Sequence, residues 1–275
     1  MEEKKSLYAK LPVNILIGLL SLVALFPFYL MLIMGTHLNE DLYTGIKLLP
    51  GNYFWENLNT VMMIDYPRYY LNSLTIAICN TMGAILVSSL GGYAFAKYNF
   101  KGKKGFFTFV IATLAIPMQL GLVGYVLEMK ALGIVNTILP MIFSGMASGF
   151  GTFFMTQFIG SSVPNEILES GRIDGCTDYG IFFKLVIPII KPAFITIGLL
   201  IFLWSWNSYM VPLVIVTRKE CYTIPLSIAM ISTEFRTDYA ARILSLAFST
   251  IPIVGLFAFG SKYLIQGLTA GSVKG

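Results

Sequence analysis

The chain contains six apolar runs, each long enough to cross a lipid bilayer. They are residues 12–35, 71–96, 106–127, 138–160, 192–216 and 243–261. The hydrocarbon core of a bilayer is about 30 Å thick, and about 20 helical residues cross it. A backbone in lipid must satisfy its own hydrogen bonds, so runs of this length and uniform apolarity predict helices rather than barrel strands. The sequence therefore predicts an all-α membrane protein with six transmembrane helices.

The distribution of positive charge predicts the orientation of these helices. With the N-terminus in the cytoplasm, 12 of the 19 Lys and Arg residues fall on the cytoplasmic side, four of them in the short segment 97–104. The positive-inside rule then predicts that both termini are cytoplasmic. The predicted segments are a cytoplasmic tail at 1–11, a first transmembrane helix with its outer loop at 12–70, a core with five transmembrane helices at 71–265, a cytoplasmic segment within that core at 161–191, and a cytoplasmic tail at 266–275.

Several kinds of chemistry are disfavoured by what the sequence lacks. The net charge is +5, but the basic residues lie between apolar runs and form no stripe on a helix, which argues against a nucleic-acid partner. The sequence predicts neither a metal site nor a disulfide framework, because its three cysteines and its single histidine are widely separated. These residues are Cys79, Cys176, Cys221 and His37. No phosphate-binding loop, zinc-protease or serine-hydrolase motif occurs, so we expect neither an enzyme nor a site for ATP in this chain.

An ion-coupled secondary carrier or a channel for a small solute stays open as an alternative. Carriers of that kind usually place charged residues within the bilayer, where they are costly and therefore functional. None of the six runs contains a charged residue in its core. A chain that spans the membrane without such residues is more readily explained as a transport subunit that takes its energy from another subunit.

The cytoplasmic segment 161–191 predicts two short helices joined at Gly175. Ser162 is a candidate N-cap for the first helix, and Thr177 or Asp178 for a second helix that ends at Pro188. Gly175 suits the left-handed residue that ends a helix. We expect an apolar knob of Ile167, Leu168, Gly171 and Cys176 with a polar rim of Glu166, Glu169, Arg172 and Asp174. Such an elbow either docks in a partner's groove or lies on the headgroups as an amphipathic connector.

This segment resembles the EAA loop of binding-protein-dependent ABC importer permeases. In that family a Glu-Ala-Ala triplet is followed by a glycine after three residues and by Ile-x-Leu-Pro after nine more. The residues in register here are Glu169, Ser170, Gly171, Asp174, Gly175, Leu185, Ile187 and Pro188. Ser170 and Gly171 replace the two alanines. Further segments, among them 91–104, 204–213, 222–228 and 267–275, are similar to carbohydrate permeases of the MalG-like type.

The resemblance implies a fold, partners and a mechanism. The fold is that of a type I ABC importer permease (MetI-like), in a bacterial or archaeal cell membrane. Partners are a second, different permease, two cytoplasmic ATPase subunits that hold ATP and Mg, and an extracytoplasmic sugar-binding protein. The permease moves a carbohydrate, an oligosaccharide, inward by alternating access. The ATPase-coupling residues are Glu169, Ser170, Gly171, Asp174, Gly175 and Pro188, and residues 267–275 reach toward the ATPase dimer.

Two further sets of residues are candidates under this resemblance. Trp204, Trp206, Asn207 and Tyr209 lie near the outer end of the fifth run. Indoles and amides suit a sugar path, although aromatic residues also gather at membrane interfaces and Asn often binds a neighbouring helix. The loop at 221–240 is a candidate contact for the binding protein, or else a solvated loop. Its candidate residues are Tyr222, Thr223, Pro225, Phe235 and Tyr239.

Overall fold

The computed structural model describes residues 2–234 and 238–270, and every regular element within them is a helix. The chain divides into two compact units. The first comprises Met1–Tyr66 and Ser227–Ile251, and the second comprises Pro67–Leu226 and Pro252–Gly275. The all-α class is confirmed for the described residues.

The α-helices follow one another along the chain, most of them with short connections. In order they are α1 (Glu2–Met34), α2 (Phe54–Met63), α3 (Tyr66–Lys97), α4 (Lys103–Thr113), α5 (Leu122–Ala131), α6 (Leu139–Phe143), α7 (Gly149–Ser162), α8 (Asn165–Ile173), α9 (Asp178–Ile181), α10 (Ile187–Trp206), α11 (Met210–Ile215), α12 (Ile224–Glu234), α13 (Tyr239–Ser249) and α14 (Ile251–Ala270).

In the first unit, α1 packs on α13, and α13 packs on α2. The end of α1 is held by Asn57, whose Nδ2 donates to the carbonyls of Gly35 and His37 at 2.9 and 2.8 Å. These carbonyls follow the last turn of the helix and have no partner within it, so the amide satisfies groups that would otherwise be unpaired. The membrane-length part of α1, Pro12–Met34, has none of its most apolar stretch buried within the chain.

In the second unit, α3 and α7 approach each other closely at Gly92. A Cβ atom at Gly92 would lie 2.6 Å from the Cβ of Met155, so only glycine fits this contact. Small residues at such crossings let helix backbones approach in a membrane, where packing rather than water exclusion holds helices together. The core around this crossing is fully buried and includes Met155, Ile159, Ile181, Ile190 and Ile197.

The described helices do not form six continuous membrane-length spans. Four described helices are long and apolar enough to cross a bilayer, and these are Pro12–Met34, Tyr66–Lys97, Asp178–Trp206 and Tyr239–Ala258. Run 106–127 belongs instead to a helix pair bent by 99°. Pro117 lies in the break, where it offers no N–H and disfavours a helical residue before it. Run 138–160 is divided into α6 and α7.

The second helix of segment 161–191 is predicted to end at Pro188, but the helical stretch continues past this residue to Trp206. One helical stretch runs from Asp178 to Trp206 and takes in Pro188 and Pro192. The turn Phe182–Val186 is π-helical. Pro188 has no N–H to close an ordinary turn onto the carbonyl of Lys184, which favours a wider turn at this point. The segment 161–191 and the fifth apolar run therefore share one helical element.

Candidate functional site

The segment 161–191 turns sharply at Gly175. The residue has φ +77°, a left-handed conformation that glycine adopts without a steric penalty. Its N–H donates to the carbonyl of Arg172 at 3.1 Å, and the N–H of Cys176 donates to that of Gly171 at 2.9 Å. These bonds satisfy the last carbonyls of α8. The left-handed glycine predicted at the joint is confirmed.

The caps of the two helices differ from the prediction in one respect. The Thr177 side chain accepts a hydrogen bond from the N–H of Gly180 and begins α9, as predicted. Ser162 is not the cap of α8, because it is the last residue of α7. Helix α8 begins at Asn165 after Pro164, without a side-chain cap.

The apolar face of α8 packs against the helical stretch that follows it in the chain. Leu168 and Gly171 are buried, and a Cβ at Gly171 would lie 2.9 Å from Leu185 and 3.1 Å from Ile181. The predicted outward knob is therefore wrong for Leu168 and Gly171. Ile167 and Cys176 are half-buried. Because this face is buried between the two helices, it is not available for contact with a partner.

A different apolar pair is exposed at the tip of the segment. Ile173 is 86% exposed and Tyr179 is 77% exposed. Beside them Arg172 Nη2 lies 3.4 Å from Asp178 Oδ1. Desolvation opposes the charge of Arg172, but the interactions with Asp178 and, to a smaller extent, with Tyr98 outweigh it and raise the pKa of the guanidinium above its ordinary value. The tip thus combines exposed apolar surface with a fixed ion pair.

The other predicted coupling residues lie in α8 or directly after it, except for Pro188, which lies in α10. Glu169, Ser170, Asp174 and Pro188 are all exposed. The Ser170 hydroxyl donates to the carbonyl of Ile167 at 3.1 Å within its own helix, which leaves the carboxylates of Glu169 and Asp174 as the outward polar groups.

The elbow consists of the segment Asn165–Ile173 and the helix that follows it. Contacts with the end of α3 hold the elbow in place. Lys97 Nζ donates to Asn165 Oδ1 at 3.1 Å. The ring of Tyr93 lies 5.2 Å from that of Phe182 and 5.4 Å from that of Tyr98. These contacts join the elbow to the C-terminal end of one membrane-length helix, α3, while the elbow itself continues into another, Asp178–Trp206.

A cavity of about 300 Å³ lies in the second unit, beside the break between α6 and α7. Its lining combines hydroxyl, amide, indole and apolar groups, and no charged side chain is among those described there. The lining residues are Ile76, Asn80, Met118, Met141, Ser144, Gly145, Ala147, Ser148, Ile201, Trp204, Ser205, Ser208, Pro212 and Thr223.

Asn80 explains why the run 138–160 is interrupted here. Its Nδ2 donates to the carbonyl of Ile142 at 3.1 Å, and the carbonyl of Met141 lies 3.4 Å from the same nitrogen. A carbonyl released from a helix inside a membrane needs such a partner, because lipid offers none. Ser148 then caps α7 by accepting from the N–H of Gly151 at 2.9 Å.

The four residues predicted near the outer end of the fifth run do not share one environment. Trp204 is 54% exposed, lines the cavity and contacts the ring of Phe150 edge-on at 5.5 Å. Trp206 is buried, with its ring stacked on Phe202. Asn207 is exposed and its side chain binds the Leu203 carbonyl, and Tyr209 is half-buried. Only Trp204 of this set lines the cavity.

The residues predicted for the loop 221–240 are similarly divided. Tyr222 is half-buried with its ring 5.8 Å from that of Tyr69, Pro225 is half-buried, and Thr223 is only 4% exposed and lines the cavity. In the first unit, Tyr239 meets Tyr43 edge-on at 6.2 Å. Phe235 lies outside the described residues, as do residues 271–275 of the C-terminal tail.

Asn136 fixes the start of this loop. It has φ +62°, and its Oδ1 accepts hydrogen bonds from the N–H and the hydroxyl of Thr217 at 2.7 and 2.9 Å. Cys221 Sγ binds its carbonyl at 3.2 Å. One side chain therefore connects the end of α5 with the loop that precedes Tyr222.

We expect Asn136→Gly to lower the free energy of unfolding by about 1–2 kcal/mol, because the hydrogen bonds to Thr217 are lost while the backbone conformation stays accessible. Asn136→Ala should cost about 1 kcal/mol more, since alanine is strained in the left-handed region. Denaturant unfolding of the purified protein in detergent measures both. Equal losses for the two variants would show that the backbone conformation carries no strain.

Several residues of the two sites are not among those predicted from the sequence. They are Asn80, Ser144 and Ser148 at the cavity, and Ile173 and Tyr179 at the tip. A signal for Asn80 existed in the sequence, since an amide in the middle of an apolar run needs a hydrogen-bonding partner. No comparable signal marks the two tip residues, whose exposure depends on how α8 and α9 fold together.

Comparison with known proteins gives consistent similarities. Residues 84–269 match the family described as binding-protein-dependent transport system inner membrane component. The chain is 36% identical over 210 residues to the arabinooligosaccharides transport system permease protein AraQ of Halalkalibacterium halodurans. The matched region covers 76% of this chain and 75% of that relative. It is 27% identical over 273 residues to the lactose transport system permease protein LacG of Rhizobium radiobacter, covering 98% and 99% of the two chains.

One solved structure has a similar backbone. It is the crystal structure of a bacterial ABC transporter involved in the import of the acidic polysaccharide alginate. The TM-score is 0.78, with 21% identity over 94% of this chain and 97% of that chain. At this identity the likeness shows a common fold.

Proposed function

The chain belongs to the family of binding-protein-dependent transport system inner membrane components, and from this premise we propose that it is the permease subunit of an ABC importer that carries an oligosaccharide into the cytoplasm. The names of similar relatives, which transport arabinooligosaccharides and lactose, support a carbohydrate substrate. The fold of the solved importer, which this chain shares, supports the type I (MetI-like) architecture.

The elbow is the observation that carries the proposal. Its tip presents Ile173 and Tyr179, both largely exposed, beside the Arg172–Asp178 ion pair. Exposed apolar side chains with a polar rim are typical of a helix that docks in a partner's groove. In the proposed complex this tip, with Glu169, Ser170, Gly171, Asp174, Gly175 and Pro188 as its coupling segment, docks in one of two cytoplasmic ATPase subunits. ATP and Mg are held by those subunits.

The proposed mechanism is alternating access. Closure of the ATPase subunits displaces the elbow, and the continuous helix Asp178–Trp206 carries the displacement into the membrane. In this proposal the two broken runs also cross the bilayer, which gives six crossings and cytoplasmic termini. A second permease completes the pathway, and the uncovered apolar surface of α1 faces it or lipid.

A sugar-binding protein delivers the substrate at the outer face. Tyr222, Pro225, Phe235 and Tyr239 are proposed to contribute to its dock. The cavity beside Trp204 is proposed to form part of the path, with Asn207 and Tyr209 near the outer end of that path. Trp206 supports this region from the core rather than from the path, because it is buried against Phe202.

Reconstitution tests the function as a whole. The chain, its companion permease, the ATPase and the binding protein should together accumulate oligosaccharide in vesicles, and only with ATP on the ATPase side. The chain alone should accumulate nothing. Accumulation by the chain alone in response to an ion gradient would support a secondary carrier instead.

A substitution at the tip tests the docking site. Ile173→Asp should weaken co-purification of the ATPase at least about tenfold, because a buried apolar contact is replaced by a charge that must be desolvated. Ile46→Asp is the matched control, since Ile46 is 68% exposed in the first outer loop. Equal retention of the ATPase by both variants would place the dock elsewhere.

A further inference from the structure

Two polar atoms that have no partner in the protein belong to residues that line the cavity beside the broken run. They are Asn80 Oδ1 and Thr223 Oγ1. Both residues are almost fully buried, at 3% and 4% exposure. The Asn80 amide nitrogen is already engaged with the carbonyl of Ile142, so its oxygen is the part of the side chain left to accept a hydrogen bond.

The position of these atoms depends on local structure that leaves little freedom. A Cβ at Gly145 would lie 2.6 Å from Asn80 Oδ1, so glycine is required where the amide passes the break. On the next segment, the N–H of Ile224 donates to the hydroxyl of Ser73 at 2.8 Å, which fixes the backbone beside Thr223. The Asn80 amide and the backbone beside Thr223 are therefore held in place without any ligand.

A buried polar atom without a partner destabilises the folded protein, because it has lost its hydrogen bonds to water. A ligand that donates hydroxyl groups to Asn80 Oδ1 and Thr223 Oγ1 would restore those bonds. Trp204 adds a half-exposed indole to the same lining, and indoles pack on the CH faces of sugars. The described lining has no charged side chain, so nothing in it offsets the desolvation of an acidic ligand.

We propose that this cavity binds a neutral sugar during passage, with hydroxyl groups of the sugar hydrogen-bonded to Asn80 Oδ1 and Thr223 Oγ1 and one ring face against Trp204. The proposal rests on the function proposed above and deepens it. It assigns part of the substrate contact to this chain, and it limits the substrate to uncharged carbohydrates.

Thr223→Val provides the main test, because it replaces the hydroxyl by a methyl group of nearly the same size. In the reconstituted complex we expect about three- to tenfold less neutral oligosaccharide imported per ATP hydrolysed, the effect of one lost hydrogen bond. Thr223→Ser keeps the hydroxyl and should restore most of the import. If the hydroxyl has only a structural role or binds only water, Thr223→Val should import normally, and this outcome would overturn the proposal.

Thr81→Val is the matched control. Thr81 Oγ1 is likewise buried and unpaired, but it lines a separate, apolar groove. Its replacement should leave import per ATP unchanged. An equal loss in Thr81→Val and Thr223→Val would mean that any lost buried hydroxyl impairs the protein, and the assignment of Thr223 to the sugar would fail.

The charge of the substrate is tested with neutral oligosaccharides and with uronate-containing ones of the same length. We expect the wild-type complex to import the acidic series at least about tenfold more slowly, since each carboxylate must be desolvated without a cation. Equal import of both series would contradict the neutral-substrate assignment. Import of neither by the wild-type complex would instead refute the proposed function itself, so the two failures are distinguishable.

Discussion

Gly175→Pro should reduce ATP-driven import at least about 100-fold, equivalent to about 2.7 kcal/mol, while the chain stays inserted in the membrane. Gly175 has φ +77°, whereas the proline ring fixes φ near −65°. Proline also removes the N–H that bonds to the Arg172 carbonyl. It further disfavours the conformation of Asp174, which has φ −74° and ψ 6°, because a residue before proline is pushed to extended ψ values. Import of radiolabelled oligosaccharide into vesicles, with membrane insertion measured in parallel, checks the result.

Gly175→Asn is the control for this substitution. No atom lies within 4 Å of a Cβ at this position, so the only cost is the left-handed backbone, which Asn tolerates better than other residues. We expect Gly175→Asn to keep at least about half of the import rate. If Gly175→Pro imports at the wild-type rate, the elbow is not the element that couples ATP hydrolysis to transport.

The joint of the elbow could be predicted because its signals are local. A glycine followed by Thr177 at a helix start requires only nearby backbone groups, and both the left-handed φ and the cap are present. The orientation of α8 was not predictable in the same way. Periodicity indicates that Leu168 and Gly171 share a face, but their cover by Ile181 and Leu185 depends on how two helices pack.

The break in the run 138–160 shows the same limit at the cavity. Every residue from 138 to 160 is apolar, small or uncharged, so hydropathy predicts one continuous helix. The break is stabilised by Asn80, which lies about 60 residues earlier and supplies the hydrogen bonds that the interrupted helix lacks. The difference between Trp204 and Trp206 has a similar origin. Their positions two apart place them on different faces of a helix, and only tertiary packing decides which face meets the cavity.

Gly145→Ala is expected to lower the free energy of unfolding by about 1–3 kcal/mol and to reduce import at least about tenfold. The added Cβ would lie 2.5 Å from Asn80 Nδ2, and Asn80 is too buried to move aside while it keeps its bond to Ile142. The carbonyls at the break would then lose their donor inside the membrane. Thermal unfolding in detergent and import in vesicles measure the two effects. Gly124→Ala is the matched control, since a Cβ there meets no atom within 4 Å.

A double-mutant cycle shows whether the loss acts through Asn80. If it does, Gly145→Ala combined with Asn80→Ala should be no less stable than Asn80→Ala alone, because the clashing amide is already absent and the two changes affect one contact. Additive losses would mean that Gly145→Ala disturbs the break independently of Asn80. The amide would then be a neighbour of the break rather than the group that stabilises it, and the fixed position of Asn80 Oδ1 in the cavity would lose its structural basis.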